Sequence, residues 1–159
     1  MRRIGYAAFV LVVLADLASK QLVLNFFRQS SERVIEIMPM FNLTLVFNRG
    51  VSFGMFSGSG DIGKYILSAI AIIATIVLIW MVKSASSKWA ALGYGLIAGG
   101  AFGNVIDRIR HGAVVDFLDA HIGGWHFWTF NIADAAITIG VICLLIDMIV
   151  QDKTESASG

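Results

Sequence analysis

The stretch Phe130-Asn131-Ile132-Ala133-Asp134, followed by an uncharged run from Ala135 to Ile146 and then Asp147, decides how this chain is built. A helix needs ~20 mostly apolar residues to cross ~30 Å of hydrocarbon. The run from Ala135 to Ile146 is too short to cross alone. If it crosses, it takes in Asp134 at one end and Asp147 near the other, so at least one acid is drawn toward the bilayer. A carboxylate there costs roughly 2.5–3.5 kcal/mol at a span centre, and less toward the surface.

Working outward, three further apolar segments have the length of a span. They run from Ile4 to Leu24 with Asp16 and Lys20 inside, from Ile62 to Val82, and from Trp89 to Ile106. Of the 159 residues, 57% are hydrophobic and 14% are charged, against about 25% charged in a soluble domain. The mean hydropathy is +0.78. So much apolar surface cannot be buried in a water-soluble core of this size, so the solvent is lipid. The expected fold class is an all-α membrane protein: four transmembrane helices with a small extracytoplasmic β-rich element and loop. One four-span domain covers residues 1–150, and residues 151–159 form a polar tail, read as a disordered end. The net charge of +1 argues against nucleic acid, which requires a basic stripe. The lone cysteine, Cys143, lies in an apolar run and allows no internal disulfide. The start Met1-Arg2-Arg3 plus an apolar run also fits a secretory signal peptide. Against that, no clean small-residue cleavage site precedes Asp16, and three more spans follow.

Four spans put both termini on one side. Arg2, Arg3, Lys83 and Lys88 mark that side as cytoplasmic by the excess of positive charge in cytoplasmic loops. Arg28, Arg33, Arg49 and Arg110 then lie outside, which weakens the rule here. Two loops share the outer face. In the first, about Asn25 to Asp61, Phe41, Leu43, Leu45 and Phe47 alternate with Asn42, Thr44, Val46 and Asn48, a strand pattern that puts Asn48 on the more polar face. Gly50, Gly54, Gly58 and Gly60 follow as a pliable stretch that, with Phe53, Met55 and Phe56, is suited to act as an apolar lid. The second loop, about Ile109 to Thr129, has a turn signal at Gly123-Gly124 flanked by His121, Trp125, His126 and Trp128. Tryptophans there suit a membrane interface.

Asp116, in Val114-Val115-Asp116-Phe117, belongs to this second loop, and Asp134 closes it. Both acids therefore face one side. Two close carboxylates do not both ionise easily, so one keeps a proton near neutral pH. The charged one can deprotonate water and the neutral one can polarise a peptide carbonyl, with neither metal nor cofactor. The plainer readings are an N-cap with an acid in the first turn for Asn131-x-x-Asp134, and an ordinary loop carboxylate for Asp116. Asp16 and Lys20, four apart, share a helix face and pair; alternatively Lys20 reaches the site. Gly95, Gly99 and Gly103 form a small-residue ladder for close helix packing. Beside it, Asn104 and Arg108 either flank the span or hold loops and substrate backbone. Asp107 and Arg110 read as interfacial charges, Asp119 as a loop acid, and Asp147 as remote from the site. His111, His121 and His126 lack helical metal-ligand spacing. Ser19 and Ser52 sit in no Gly-x-Ser-x-Gly motif.

Taken in order, five motifs resemble the bacterial lipoprotein signal peptidase family (signal peptidase II). They are Asp16-Leu17-Ala18-Ser19-Lys20, Asn48-Arg49-Gly50-Val51-Ser52-Phe53-Gly54, the run Gly99 to Arg108, Val114 to Phe117, and Phe130 to Asp134. The resemblance implies catalytic roles for Asp116 and Asp134. It implies site-supporting or substrate-binding roles for Asp16, Lys20, Asn48, Gly50, Asn104, Arg108 and Asn131. It also implies an aspartic endopeptidase of the inner membrane. Such an enzyme removes the signal peptide from diacylglyceryl-modified prolipoproteins just before the lipidated cysteine and is blocked by globomycin. Trp128 stands where many members have proline, and Ala135 where serine is frequent. Two other readings remain from the residues: a small transporter subunit with Asp16, Lys20 and Asp147 along its path, and a scaffold docked through the glycine ladder.

Overall fold

A computed structural model of the chain describes residues 1–50 and 62–156. Of the expected lid, Gly50 to Gly60, all but Gly50 lies outside the described residues, Ser52 included. Among the described residues, four helices are long and apolar enough to cross a membrane: α1 (Arg2–Gln29), α2 (Ile62–Ser84), α3 (Lys88–His111) and α4 (Ile132–Ser156). Between them lie β1 (Val34–Met38), β2 (Phe41–Asn48), β3 (Val114–Ile122) and β4 (Trp125–Phe130). The first segment is thus a 28-residue helix built into the bundle, and α4 continues through most of the expected tail to Ser156.

α3 is the least apolar span yet the most buried, with 56% of its window enclosed, against 11% for the strongly apolar α2. This inversion follows from the solvent. Lipid tails are as apolar as leucine, so helices associate through close packing and polar contacts rather than by hiding hydrocarbon. α3 packs against α1, α2 and α4, and its glycines permit the approach. A Cβ on Gly99 would stand 2.9 Å from the Phe9 carbonyl oxygen, and one on Gly103 would stand 2.5 Å from Asp16 Oδ2. The large side chains Leu11, Leu22, Ile73, Ile76 and Met148 point outward, as lipid-facing residues do.

α3 starts at Ser87, whose Oγ accepts from the Ala90 N–H at 2.9 Å. The same hydroxyl meets Asp147 Oδ1, and Asp147 Oδ2 accepts from Gln151 Nε2 at 2.6 Å. Asp147 therefore ties the far end of α4 to the start of α3. α3 stops at Gly112, a left-handed cap (φ 71°) whose N–H reaches the Arg108 carbonyl at 3.1 Å. Two residues later β3 begins.

The strands form one antiparallel sheet in the order β1-β2-β3-β4. This corrects the reading of residues 109–129 as a loop: most of it is a hairpin, and Asp116 and Asp119 are strand residues. The turn signal was sound. Gly123 and Gly124, at φ 57° and 85°, join Ile122 to its partner Trp125, the two-residue turn that needs positive φ at both positions. β2 forms over the alternating stretch, but its polar residues do the docking. Asn42 donates to Asp119 Oδ2 at 3.3 Å, while Phe47 stays exposed. Asp119 also meets His126 Nδ1 at 2.7 Å, and His121 Nε2 meets Asn42 Oδ1 at 3.1 Å. These contacts clip three strands together.

Gly99→Leu should disrupt the α1–α3 contact, because a larger side chain has no free space there. An overpacking cost of about 1–3 kcal/mol is expected. Denaturant unfolding in micelles should show this loss, whereas a leucine at the outward-facing Ile73 should leave the midpoint unchanged.

Candidate active site

Three elements converge at one end of the bundle. β3 carries Asp116, α4 carries Asp134 in its first turn, and α3 delivers Asn104, Asp107 and Arg108 from its last two turns. The start of α4 is a reciprocal cap. Asn131 Oδ1 accepts from the Asp134 N–H at 3.0 Å, and Asp134 Oδ2 accepts from the Asn131 N–H at 3.3 Å. The Asn131 carbonyl accepts the first helical bond, from the Ala135 N–H. The capping-box reading of Asn131-x-x-Asp134 is therefore correct, and it does not compete with the site reading. The cap fixes where Asp134 stands.

Asn131 also reaches the other acid. Its Nδ2 donates to Asp116 Oδ1 at 2.7 Å and lies 3.2 Å from Asn104 Oδ1 and 3.3 Å from the Val115 carbonyl. Asn104 Nδ2 in turn donates to Asp134 Oδ1 at 2.9 Å. Asp116 and Asp134 are thus members of one network joined by two amide side chains. From β2, Asn48 Nδ2 donates to Asp116 Oδ2 at 3.0 Å, and Asn48 Oδ1 accepts from the Gly50 N–H at 2.8 Å. Gly50 adopts φ 72° beside Leu67, and a Cβ there would lie 3.7 Å from an Arg108 guanidinium nitrogen.

Beneath this layer lies Lys20. Its ammonium contacts Asp16 Oδ2 at 2.7 Å, Asp107 Oδ2 at 2.8 Å and Asn104 Oδ1 at 3.0 Å. Asp16 and Lys20 do pair, as their spacing indicates, and Lys20 also reaches the site. Asp16 Oδ1 accepts from the Ala133 N–H at 3.0 Å, next to Asp134. Asp107, read from sequence as an interfacial charge, is instead buried at 2% exposure. Its neighbour Arg108 gave it the look of a span boundary, and only the 3.6-residue period, which puts it on the Asn104 face, pointed the other way. Arg108 is half-buried, bonds the Asn104 carbonyl at 3.3 Å through one terminal nitrogen, and lies within electrostatic reach of Asp134, Asp107 and Asp116. Its Nε is buried without a hydrogen-bond partner among the described residues.

Every sequence-derived site residue is therefore in or beside one network. Asp16, Lys20 and Asp147 line no common path, since Asp147 lies about 20 Å along α4 from Asp134 at the 1.5 Å rise of a helix. Ser19 bonds its own helix at the Asp16 carbonyl. A pocket of about 540 Å³ opens beside Asp134, walled by Trp128, Phe130, Ala135, Thr138 and Ile139. The two residues that depart from the resembled pattern, Trp128 and Ala135, both line it.

Burial pushes the Asp116 carboxyl up to about 6 from 3.8. The Asn48 and Asn131 donors oppose the shift and the Asp134 charge adds to it. Because the fold favours the protonated form, this group's contribution to stability is full below about pH 3.8 and is lost as pH rises through about 6.

The fold and the site define a class, the bacterial membrane enzymes. Two solved bacterial membrane enzymes share the architecture. One has a TM-score of 0.77 at 31% identity, covering 94% of this chain and 90% of its own. The other has a TM-score of 0.74 at 32% identity, covering 91% of each. Among sequences, the lipoprotein signal peptidase of Rhodopseudomonas palustris is 42% identical over 153 residues, 93% of each chain. That of Burkholderia thailandensis is 41% identical over 139 residues, 87% of this chain and 82% of its own. The sequence profile of signal peptidase (SPase) II matches residues 8–150. The chain belongs to the signal peptidase II family.

The Asp116 carboxyl should titrate near pH 6 in the folded protein, read from its carbon-13 carboxyl resonance. Asp134→Asn removes a like charge and should lower the midpoint. Asn48→Ala removes a donor to the ionised form and should raise it.

Proposed function

We propose that the chain is a membrane aspartyl endopeptidase that removes the signal peptide from diacylglyceryl-modified prolipoproteins, cutting before the lipidated cysteine. The observation that carries this reading is the bridge between the two acids: Asn131 Nδ2 on Asp116, and Asn104, which contacts Asn131, on Asp134. Amide donors address both carboxyl groups, and burial pushes the Asp116 carboxyl up to about 6. One ionised carboxylate takes a proton from water as the water oxygen attacks the scissile carbonyl. The protonated partner hydrogen-bonds the carbonyl oxygen and stabilises its developing charge. Collapse breaks the C–N bond, and the amine leaves with a proton from the dyad. Water is consumed and both carboxyl groups return to their starting state, with no covalent intermediate, metal or cofactor.

Asp134 opens onto the apolar pocket under Trp128 and Phe130, which suits a substrate anchored by acyl chains at the membrane boundary. Arg108, whose buried Nε has no hydrogen-bond partner among the described residues, is suited to hold a substrate backbone carbonyl. The sheet and both acids lie at the opposite end of the bundle from Arg2, Arg3, Lys83 and Lys88. By the positive-inside rule, this favours cytoplasmic termini and an active site at the extracytoplasmic face of the inner membrane. A globomycin-type cyclic peptide would compete for the same cleft.

The test is cleavage of a diacylglyceryl-modified prolipoprotein by purified protein in micelles. Asp116→Asn and Asp134→Asn should each fold and lose about 10²–10⁴-fold in kcat, the scale of general acid–base catalysis. A chelator should leave the wild-type rate unchanged. Wild-type rates in either variant would remove the dyad from the chemistry.

A further inference from the structure

Asp107 takes no part in the proposed chemistry, yet it is buried and doubly bonded at the centre of the site. One oxygen, Oδ2, accepts from Lys20 Nζ at 2.8 Å and from the Val115 N–H at 3.0 Å. Val115 immediately precedes Asp116. A matching contact lies on the other side, where Asp16 accepts from Lys20 at 2.7 Å and from the Ala133 N–H at 3.0 Å. Ala133 immediately precedes Asp134. Each acid of the pair thus follows a residue whose backbone N–H is held by a buried carboxylate. Both buried carboxylates are held by the same ammonium.

We infer that Asp107 is a positioning residue that sets where Asp116 stands relative to Asp134, by fixing the β3 backbone at Val115 to the rigid end of α3. This rests on reading Asp116 and Asp134 as the catalytic pair. β3 reaches α3 through only Gly112 and Ala113, and Gly112 is a left-handed cap. The Val115 bond is the side-chain tie from α3 to β3 at the residue beside the acid. Asp16 performs the equivalent task for the first turn of α4. Lys20 joins the two ties, so neither backbone shifts without disturbing the other.

The mechanism of the tie predicts which substitution is tolerated. What Val115 and Lys20 both require at Oδ2 is an acceptor oxygen. Asparagine supplies one in the same place, and alanine supplies none. Asp16 remains as a carboxylate partner of Lys20 in either case.

The test uses the full chain in micelles, with cleavage of a diacylglyceryl-modified prolipoprotein as one readout and amide exchange over Val115–Phe117 as the other. Asp107→Ala should lower kcat by up to about 100-fold, the scale of an approximately 1 Å misplacement of a reacting group. KM should stay within about twofold of wild type. The same variant should speed exchange at Val115 and move the acidic limb of the pH–kcat profile, which a mere loss of folded protein would not do. Asp107→Asn should restore protection at Val115 and most of kcat. The inference is overturned if Asp107→Ala keeps wild-type kcat, or loses it with unchanged exchange and pH profile, or if Asp107→Asn is as impaired as Asp107→Ala. Asp116→Asn runs alongside. Full cleavage by that variant would overturn the reading of the catalytic pair itself, and this inference with it, whatever the Asp107 variants do.

Discussion

A buried ammonium has three hydrogens to place, and the Lys20 ammonium has three partners: Asp16, Asp107 and Asn104. Removing a charge from water costs several kcal/mol, which close pairing and full hydrogen bonding offset. Lys20 is only 2% exposed, so its partners are obligatory. An ammonium can only donate, so Asn104 must turn its Oδ1 toward Lys20, leaving its Nδ2 for Asp134. The same Oδ1 lies within reach of Asn131 Nδ2. The polarity of the amide network is therefore set from below. A lysine at the base makes both asparagines present N–H groups, not carbonyl oxygens, to the two acids.

That polarity places opposed demands on Asp116. Burial favours its neutral form, and so does the neighbouring acid. The two amide donors favour the charged form, and the balance leaves the carboxyl titrating at about 6. A drier pocket without donors would keep the group protonated through neutral pH, and a well-solvated one would keep it ionised. Asn131 contributes to both halves of this arrangement because it is the single residue between the end of β4 and the start of α4. Its side-chain oxygen caps the helix while its side-chain nitrogen holds Asp116. One residue therefore links the helix boundary to the protonation chemistry, and a substitution there disturbs both.

The spans were legible because ~20 apolar residues in a row have few other uses. The Asn131–Asp134 cap, the Asp16–Lys20 pair, the glycine ladder and the two-glycine turn were legible too, since each is a local pattern with one geometry. What stayed hidden was non-local. β3 reads Val114-Val115-Asp116-Phe117-Leu118-Asp119, and its first four residues are all buried. A strand covered on both faces shows no alternation for a sequence reading to detect. Asp107 was hidden by the charged residues beside it, because Asp-Arg at a span end has the composition of an interface. Its partner Val115 N–H belongs to backbone, which carries no sequence signal. The extent of β2 was visible, but not that Asn42 and Asn48 would face the acids of β3, because that depends on pairing with a strand not itself apparent.

The two acids of α4 show why the cost of a carboxylate near lipid does not by itself identify a functional group. Asp134 and Asp147 begin as equivalent puzzles at the ends of one short uncharged run. Asp147 is the more enclosed, and its needs are met locally: Ser87 and Gln151 supply donors to both its oxygens. Its expense yields a clasp between α3 and α4. Asp134 has donors from Asn104 and from the Asn131 backbone, yet it remains half-buried and borders an open pocket. The difference lies in what each acid leaves free. A carboxylate whose partners saturate it inside the protein is structural. One held in orientation by donors on one side, with a cavity on the other, is placed to act on something that enters.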